Sequence, residues 1–182
     1  MNQATINNKI FEIFIRDKEI SDIVNQISSQ INKSDIKDPL FISILNGSFL
    51  FTADIFRKIT IPNSEITFVK LSSYNGTETT GKVNTIIGLE HDLSNRNVII
   101  LEDIIDTGIT LEKVIQILKE KNVAEIKIAT LLFKPEAYQK SIPIDFIGKE
   151  IPNDFVIGYG LDYNEYGRNL PHIYKLKNKE KC

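Results

Sequence analysis

The chain has 182 residues, 42% of them apolar and 25% charged, with 22 Lys and Arg set against 24 Asp and Glu. That length suits one domain with a substantial core, and a near-neutral charge without a basic cluster gives no support to a nucleic-acid-binding surface. The lone cysteine, Cys182, excludes a disulfide framework and a cysteine-based zinc pattern, and a polar start without a long apolar run points to a cytosolic protein and away from the membrane.

In chain order, Ile20, Ile23, Val24, Ile27 and Ile31 fall at helical spacing and predict an amphipathic first helix. Leu40 to Leu45 reads as a buried strand, Asn46-Gly47-Ser48 as its turn, and Phe49 to Ile59 as a helix stopped near Pro62. Glu65 to Ser72 predicts a second strand. The polar, glycine-bearing stretch after it, about 72–82, is the best candidate for a mobile loop. Thr85 to Leu89 and Val98 to Leu101 read as strands, and a helix is predicted from Thr110 to about Lys121. Ile126 to Phe133, Ile144 to Ile147 and Phe155 to Tyr159 supply the remaining strands. Strands alternating with helices predict an α/β fold with a mainly parallel central sheet, and no linker or repeat divides the chain.

The stretch with most chemistry is Val98-Ile-Ile-Leu-Glu-Asp-Ile-Ile-Asp-Thr-Gly-Ile-Thr-Leu111. An apolar, β-prone run leads into three acids, Glu102, Asp103 and Asp106, and then through Thr107-Gly108-Ile109-Thr110 into a helix. Free N–H groups at a helix start attract an anion, threonine hydroxyls add donors, and glycine lets the backbone approach a phosphate. Adjacent carboxylates can accept hydrogen bonds from vicinal hydroxyls, so the pattern fits a ribose 5-phosphate. The patterns of a nucleoside triphosphate loop and of a dinucleotide fold are both missing. An ordinary turn with an Asp or Thr cap is the plain alternative, but acids clustered at the end of a buried strand are costly to bury without a purpose.

This stretch resembles the signature of the type I phosphoribosyltransferases. Leu45-Asn-Gly-Ser48, Leu71-Ser-Ser-Tyr-Asn-Gly-Thr77 and Phe155-Val-Ile-Gly-Tyr-Gly-Leu-Asp-Tyr-Asn-Glu-Tyr-Gly-Arg168 narrow the resemblance to the hypoxanthine-guanine phosphoribosyltransferases of purine salvage. The likeness runs from about Lys9 to Lys175. It implies a type I phosphoribosyltransferase fold over residues 1–182, with a small hood made from the two chain ends and a mobile lid at about 72–82. The implied reaction is magnesium-dependent transfer of the phosphoribosyl group of 5-phosphoribosyl 1-diphosphate to hypoxanthine and guanine, with release of pyrophosphate.

The resemblance also implies roles. Glu102 and Asp103 would hold the ribose hydroxyls, directly or through a metal, while Asp106, Thr107, Gly108, Ile109 and Thr110 would take the 5′-phosphate. Asp106 would also face purine N7 and exchange a proton there. Leu45, Asn46, Gly47 and Ser48, with a cis peptide before Asn46, would present N–H groups to pyrophosphate. Many relatives carry Lys at the position of Asn46, so a cationic contribution there is absent, and Arg168 would supply the bidentate cation. Lys134 would donate to the 6-oxo group, Phe155 would stack on the purine, Val156 would meet the base edge through its main chain, and Asp162 would stand by the purine and ligate a second Mg2+. Ser72, Ser73 and Tyr74 would lead the lid. A homodimer or homotetramer is expected, with no nucleic-acid or membrane partner. The competing expectations are a phosphoribosyltransferase acting on xanthine or uracil, and a regulatory binder that keeps the sugar-phosphate site.

Overall fold

The computed structural model describes residues 3–71, 85–87, 89 and 92–177. The expected lid residues Ser72, Ser73 and Tyr74, and the terminal Cys182, lie outside the described residues. In chain order the elements are β1 (Gln3–Ile6), β2 (Lys9–Ile15), α1 (Asp17–Asn32), β3 (Leu40–Ile44), α2 (Phe49–Phe56), β4 (Glu65–Leu71), β5 (Thr85–Ile87), β6 (Asn97–Ile105), α3 (Ile109–Glu120), β7 (Glu125–Phe133), β8 (Phe146–Glu150), β9 (Val156–Ile157) and β10 (Ile173–Leu176). They form two sheets. The larger has the order β5-β4-β3-β6-β7-β8, parallel from β4 to β8 with β5 antiparallel at its edge. The smaller, β1-β2-β10-β9, is antiparallel and joins strands from both chain ends.

The central strands are mostly apolar because both of their faces are covered. On one face Phe41, Ile99, Leu101, Ala129 and Leu131 pack with Ile20, Val24, Ile27 and Ile31 of α1 and with Phe51 and Ile55 of α2. On the other face Ile42, Ile44, Val98, Ile100 and Ile128 pack with Leu111, Val114 and Leu118 of α3. Each fully buried Ile or Leu contributes about 1.5–3 kcal/mol before chain entropy is subtracted, so the two layers together hold the sheet.

Several elements differ from their sequence-based bounds. The hairpin β1–β2 was not expected; it turns at Asn7 and Asn8, whose φ values of 47° and 61° suit a tight two-residue turn. β10 was also not expected. β6 continues past Leu101 to Ile105, so Glu102 and Asp103 lie inside the strand and not after it. β8 starts at Phe146 where Ile144 was expected, and β9 is limited to Val156–Ile157. Helix α2 ends at Phe56, three residues early, because the last turn tightens through Lys58 N–H to Ile55 and Ile59 N–H to Phe56.

The chain starts the large sheet at β3, moves outward to β4, then returns to the other side of β3 with β6. Strand order therefore reverses between β3 and β6. Parallel α/β sheets bind ligands at such a point, beyond the carboxyl ends of the strands. The turn after β3 and the loop after β6 both open there.

Candidate active site

A cavity of about 340 Å³ lies at that reversal, lined by Asn46 and Gly47 after β3, Asp103, Ile104 and Asp106 of β6 and its loop, Lys134 after β7, and Phe155, Val156, Leu161, Asp162 and Arg168 from the chain's last third. Nine of the residues singled out from sequence thus share one wall. Ile104 and Leu161 were not anticipated; their apolar side chains carried no signal separating them from core residues.

At one end, the Lys134 ammonium donates to the Asp106 carboxylate at 2.8 Å. Lys134 is only 6% exposed although it is a cation, and its N–H is fixed on the Ile105 carbonyl at 3.0 Å. That main-chain bond fixes where the side chain leaves the backbone. On the same wall the ring of Phe155 is 46% exposed and forms a T-shaped pair with Tyr163 at 5.7 Å between centroids. A partly exposed aromatic ring and a buried cation lining one cavity suit a flat, polar heterocycle. Val156 is buried next to it.

The opposite end is built on Arg168. Its guanidinium meets Asp162 at 2.8 Å and Glu165 at 3.0 Å, and donates to the Gly160 carbonyl at 2.8 Å. The second Asp162 oxygen accepts the Glu165 N–H at 2.7 Å. Asp103 is on the same wall, its carboxylate so close to Gly47 that a Cβ there would overlap Oδ2. Only glycine allows that approach. Burial pushes the Asp103 carboxyl up to about 6, aided by Asp162, while its own N–H, that of Ile104 and the Arg168 charge pull it down.

Glu102 does not join Asp103 there. Successive strand residues point to opposite faces, and Glu102 is buried on the side of Val98, Ile100 and Tyr138, outside the cavity wall. Among the described residues its Oε2 has no hydrogen-bond partner, and burial, with the Asp103 charge as the smaller cause, pushes its carboxyl well above the usual range. Leu45 and Ser48 are also outside the wall. Leu45 N–H is already bonded to the Val69 carbonyl at 2.8 Å, and the Ser48 hydroxyl is buried against the Ile44 carbonyl and Ser43. The peptide between Leu45 and Asn46 is cis.

Thr107, Gly108, Ile109 and Thr110 follow Asp106 in the chain but are not on the cavity wall. Gly108 caps α3 with φ 79°, packed under Tyr138, while Ile109 and Thr110 are exposed with the first helical N–H groups. Among the described residues no group of three or more His, Cys, Asp or Glu is arranged to enclose a metal ion.

The chain has counterparts among known proteins. The phosphoribosyl transferase domain family matches residues 15–164. The hypoxanthine-guanine phosphoribosyltransferase of Staphylococcus aureus strain N315 is 39% identical over 174 residues, 94% of this chain and 97% of the relative. The chain belongs to the hypoxanthine-guanine phosphoribosyltransferase family. The hypoxanthine phosphoribosyltransferase of Buchnera aphidicola subsp. Schizaphis graminum is 43% identical over 169 residues, 91% of this chain and 95% of the relative. A crystal structure of a hypoxanthine-guanine phosphoribosyltransferase from Bacillus anthracis, with a HEPES molecule in its active site, superposes with a TM-score of 0.83 at 35% identity, covering 91% of this chain and 98% of that one. The fold is that of the type I phosphoribosyltransferases, and the family is one of pentosyltransferases.

Proposed function

We propose that the protein is a purine salvage enzyme that transfers the 5-phosphoribosyl group of 5-phosphoribosyl 1-diphosphate to hypoxanthine and guanine, giving IMP or GMP and pyrophosphate. The observation that carries this reading is the contact of Lys134 with Asp106 in one cavity with the exposed ring of Phe155 and with Arg168. A purine sliding along Phe155 takes both partners of that contact. Lys134 donates to the 6-oxo group, which adenine lacks, and Asp106 accepts the proton from N7. As N9 bonds to the anomeric carbon, the bond from that carbon to the pyrophosphate oxygen breaks.

Pyrophosphate leaves toward Arg168 and the N–H groups of Asn46, Gly47 and Ser48, Leu45 N–H being already used. The 5′-phosphate is assigned to Thr107 through Thr110 at the start of α3. Asp103 is the carboxylate assigned to the ribose hydroxyls; Glu102, behind it, is given no contact with substrate. Asp103 and Asp162 offer hard oxygens on the cavity wall, which suits Mg2+, an ion that keeps phosphate oxygens and water and needs no all-protein cage. Held there, Mg2+ would supply positive charge to the departing pyrophosphate.

The small sheet β1-β2-β10-β9 is the proposed hood, and Ser72, Ser73 and Tyr74 the proposed start of a lid that keeps water from the reactive sugar. The reading makes the chain a cytosolic homodimer or homotetramer built from single-domain subunits. It is tested by pyrophosphate release from 5-phosphoribosyl 1-diphosphate and magnesium with hypoxanthine, guanine, xanthine, adenine and uracil separately. Release with hypoxanthine or guanine is the expected result. Release only with xanthine or uracil overturns the base pocket, and binding of the sugar phosphate without release for any base overturns the enzyme reading.

A further inference from the structure

The turn Gly158-Tyr159-Gly160 touches both parts of the pyrophosphate end, and a single side chain ties it to α2. Gly160 (φ 97°) lies so close to the turn after β3 that a Cβ there would fall 2.0 Å from the Gly47 carbonyl oxygen. The same residue donates its N–H to the Arg168 carbonyl at 2.9 Å and accepts the Arg168 guanidinium on its own carbonyl. Gly160 is therefore the piece between Gly47 and Arg168, and a shift of this one residue moves both.

What holds Gly160 is its neighbour. Tyr159 is 8% exposed and keeps a positive φ of 49°, which a bulky side chain adopts only when its surroundings fix it. Its N–H is bonded to the Leu170 carbonyl at 2.8 Å, and its phenol donates to Asp54 Oδ2 at 2.6 Å across 105 residues of chain. Asp54 sits in α2, whose start is locked to the other side of the same site. Ser48 donates to the Ile44 carbonyl, so Ser43 must donate to Ser48 and Thr52 to Ser43, because each hydroxyl has one proton to give. Helix α2 thus holds the turn after β3 by a one-way hydroxyl chain and the Tyr159 turn by one charge-assisted bond.

We infer that Tyr159, through its bond to Asp54, is a positioning residue that aligns Gly47 and Arg168 for the pyrophosphate group, a role that rests on the reaction proposed above. Phenylalanine would fill the same apolar space; only the hydroxyl supplies the aim. Loss of the bond should act on pyrophosphate and leave the purine end, which rests on Lys134 and Asp106, alone.

The test is a double-mutant cycle of Tyr159→Phe and Asp54→Ala, with titration calorimetry of pyrophosphate plus Mg2+ and KM values for each substrate. Each single variant should weaken pyrophosphate binding about five- to twenty-fold, with the double variant no weaker, as for one shared bond. The KM for 5-phosphoribosyl 1-diphosphate should rise in step while that for hypoxanthine holds. Asp54→Asn, which keeps an acceptor oxygen, should recover most of the affinity. Unchanged pyrophosphate binding, additive losses, or an equal rise in both KM values would each overturn the inference while the proposed reaction stands. A wild-type protein that neither binds pyrophosphate nor turns over would overturn both.

Discussion

The two ends of the cavity each pair a cation with carboxylates, but by opposite means. Lys134 and Asp106 follow different strands, 28 residues apart, and their one contact joins a buried ammonium to a half-exposed acid. Arg168 draws its three partners, Gly160, Asp162 and Glu165, from the eight residues before it, and Glu165 is largely in water. A single long-range contact is all-or-none: either partner, once lost, leaves the other uncompensated. A local cluster has redundancy, since a guanidinium keeps its place with one partner missing. On the proposed reading, the end assigned to the purine is thus built to be broken by its substrate, and the end assigned to pyrophosphate to keep its shape.

The largest expected effect breaks the single contact from the acid side. Asp106→Asn should lower kcat by about 10²–10⁴-fold, because an amide cannot take the purine proton. Binding of 5-phosphoribosyl 1-diphosphate, measured by calorimetry, should remain close to wild type. Unchanged turnover would remove Asp106 from proton transfer. Lys134→Ala attacks the same contact from the other side and should raise the KM for hypoxanthine about 10- to 100-fold, the range of a lost charge-assisted hydrogen bond. An equal loss of sugar-phosphate affinity would contradict its assignment to the base.

These two residues also mark how far the sequence could be read. The strands β3 and β7 and the helices α1 and α3 stood out because burial on two faces demands unbroken apolar runs and burial on one face a helical stripe. Asp106 could be picked out because it follows such a strand within an acid-bearing turn, whereas Lys134, which also follows one, was pointed to by the resemblance. The extension of β6 through Glu102 and Asp103 was hidden, since carboxylates argue against a strand until their neighbours are known. For the same reason the split of Glu102 and Asp103 onto opposite faces was not seen. The β1–β2 hairpin had a legible cue in Asn7-Asn8, set between Ile6 and the run Lys9-Ile10-Phe11. Phe155, Asp162 and Arg168 carry no local pattern at all; only the resemblance pointed to them, because the small sheet that brings them in is closed by contacts between the chain's two ends.

Asp103 sharpens the comparison through pH. Its carboxyl is pushed up to about 6 in the folded protein, against 3.8 for the ordinary side chain, with burial the main cause. The folded state therefore holds this proton more tightly than the unfolded state does. The group's contribution to stability is greatest below about pH 4 and is lost as pH rises to about 6, where the buried charge must be carried. Asp103→Asn should match wild type in stability near pH 4 and exceed it above pH 6 by at most on the order of 2–3 kcal/mol, read from urea unfolding. A gap that is constant with pH would mean that Asp103 is solvated through the cavity.

The smallest expected effect tests the redundancy of the other end. Glu165 pairs with Arg168 at 3.0 Å, yet its side chain is 76% exposed, so water and salt screen most of that attraction. Glu165→Gln removes the charge and leaves the guanidinium on Asp162 and the Gly160 carbonyl. Stability should change by less than about 1 kcal/mol, and the KM for 5-phosphoribosyl 1-diphosphate should stay within about two-fold of wild type. A large rise in that KM would mean that Arg168 depends on each of its partners singly, as Lys134 depends on Asp106, and the two ends would then differ in chain distance alone.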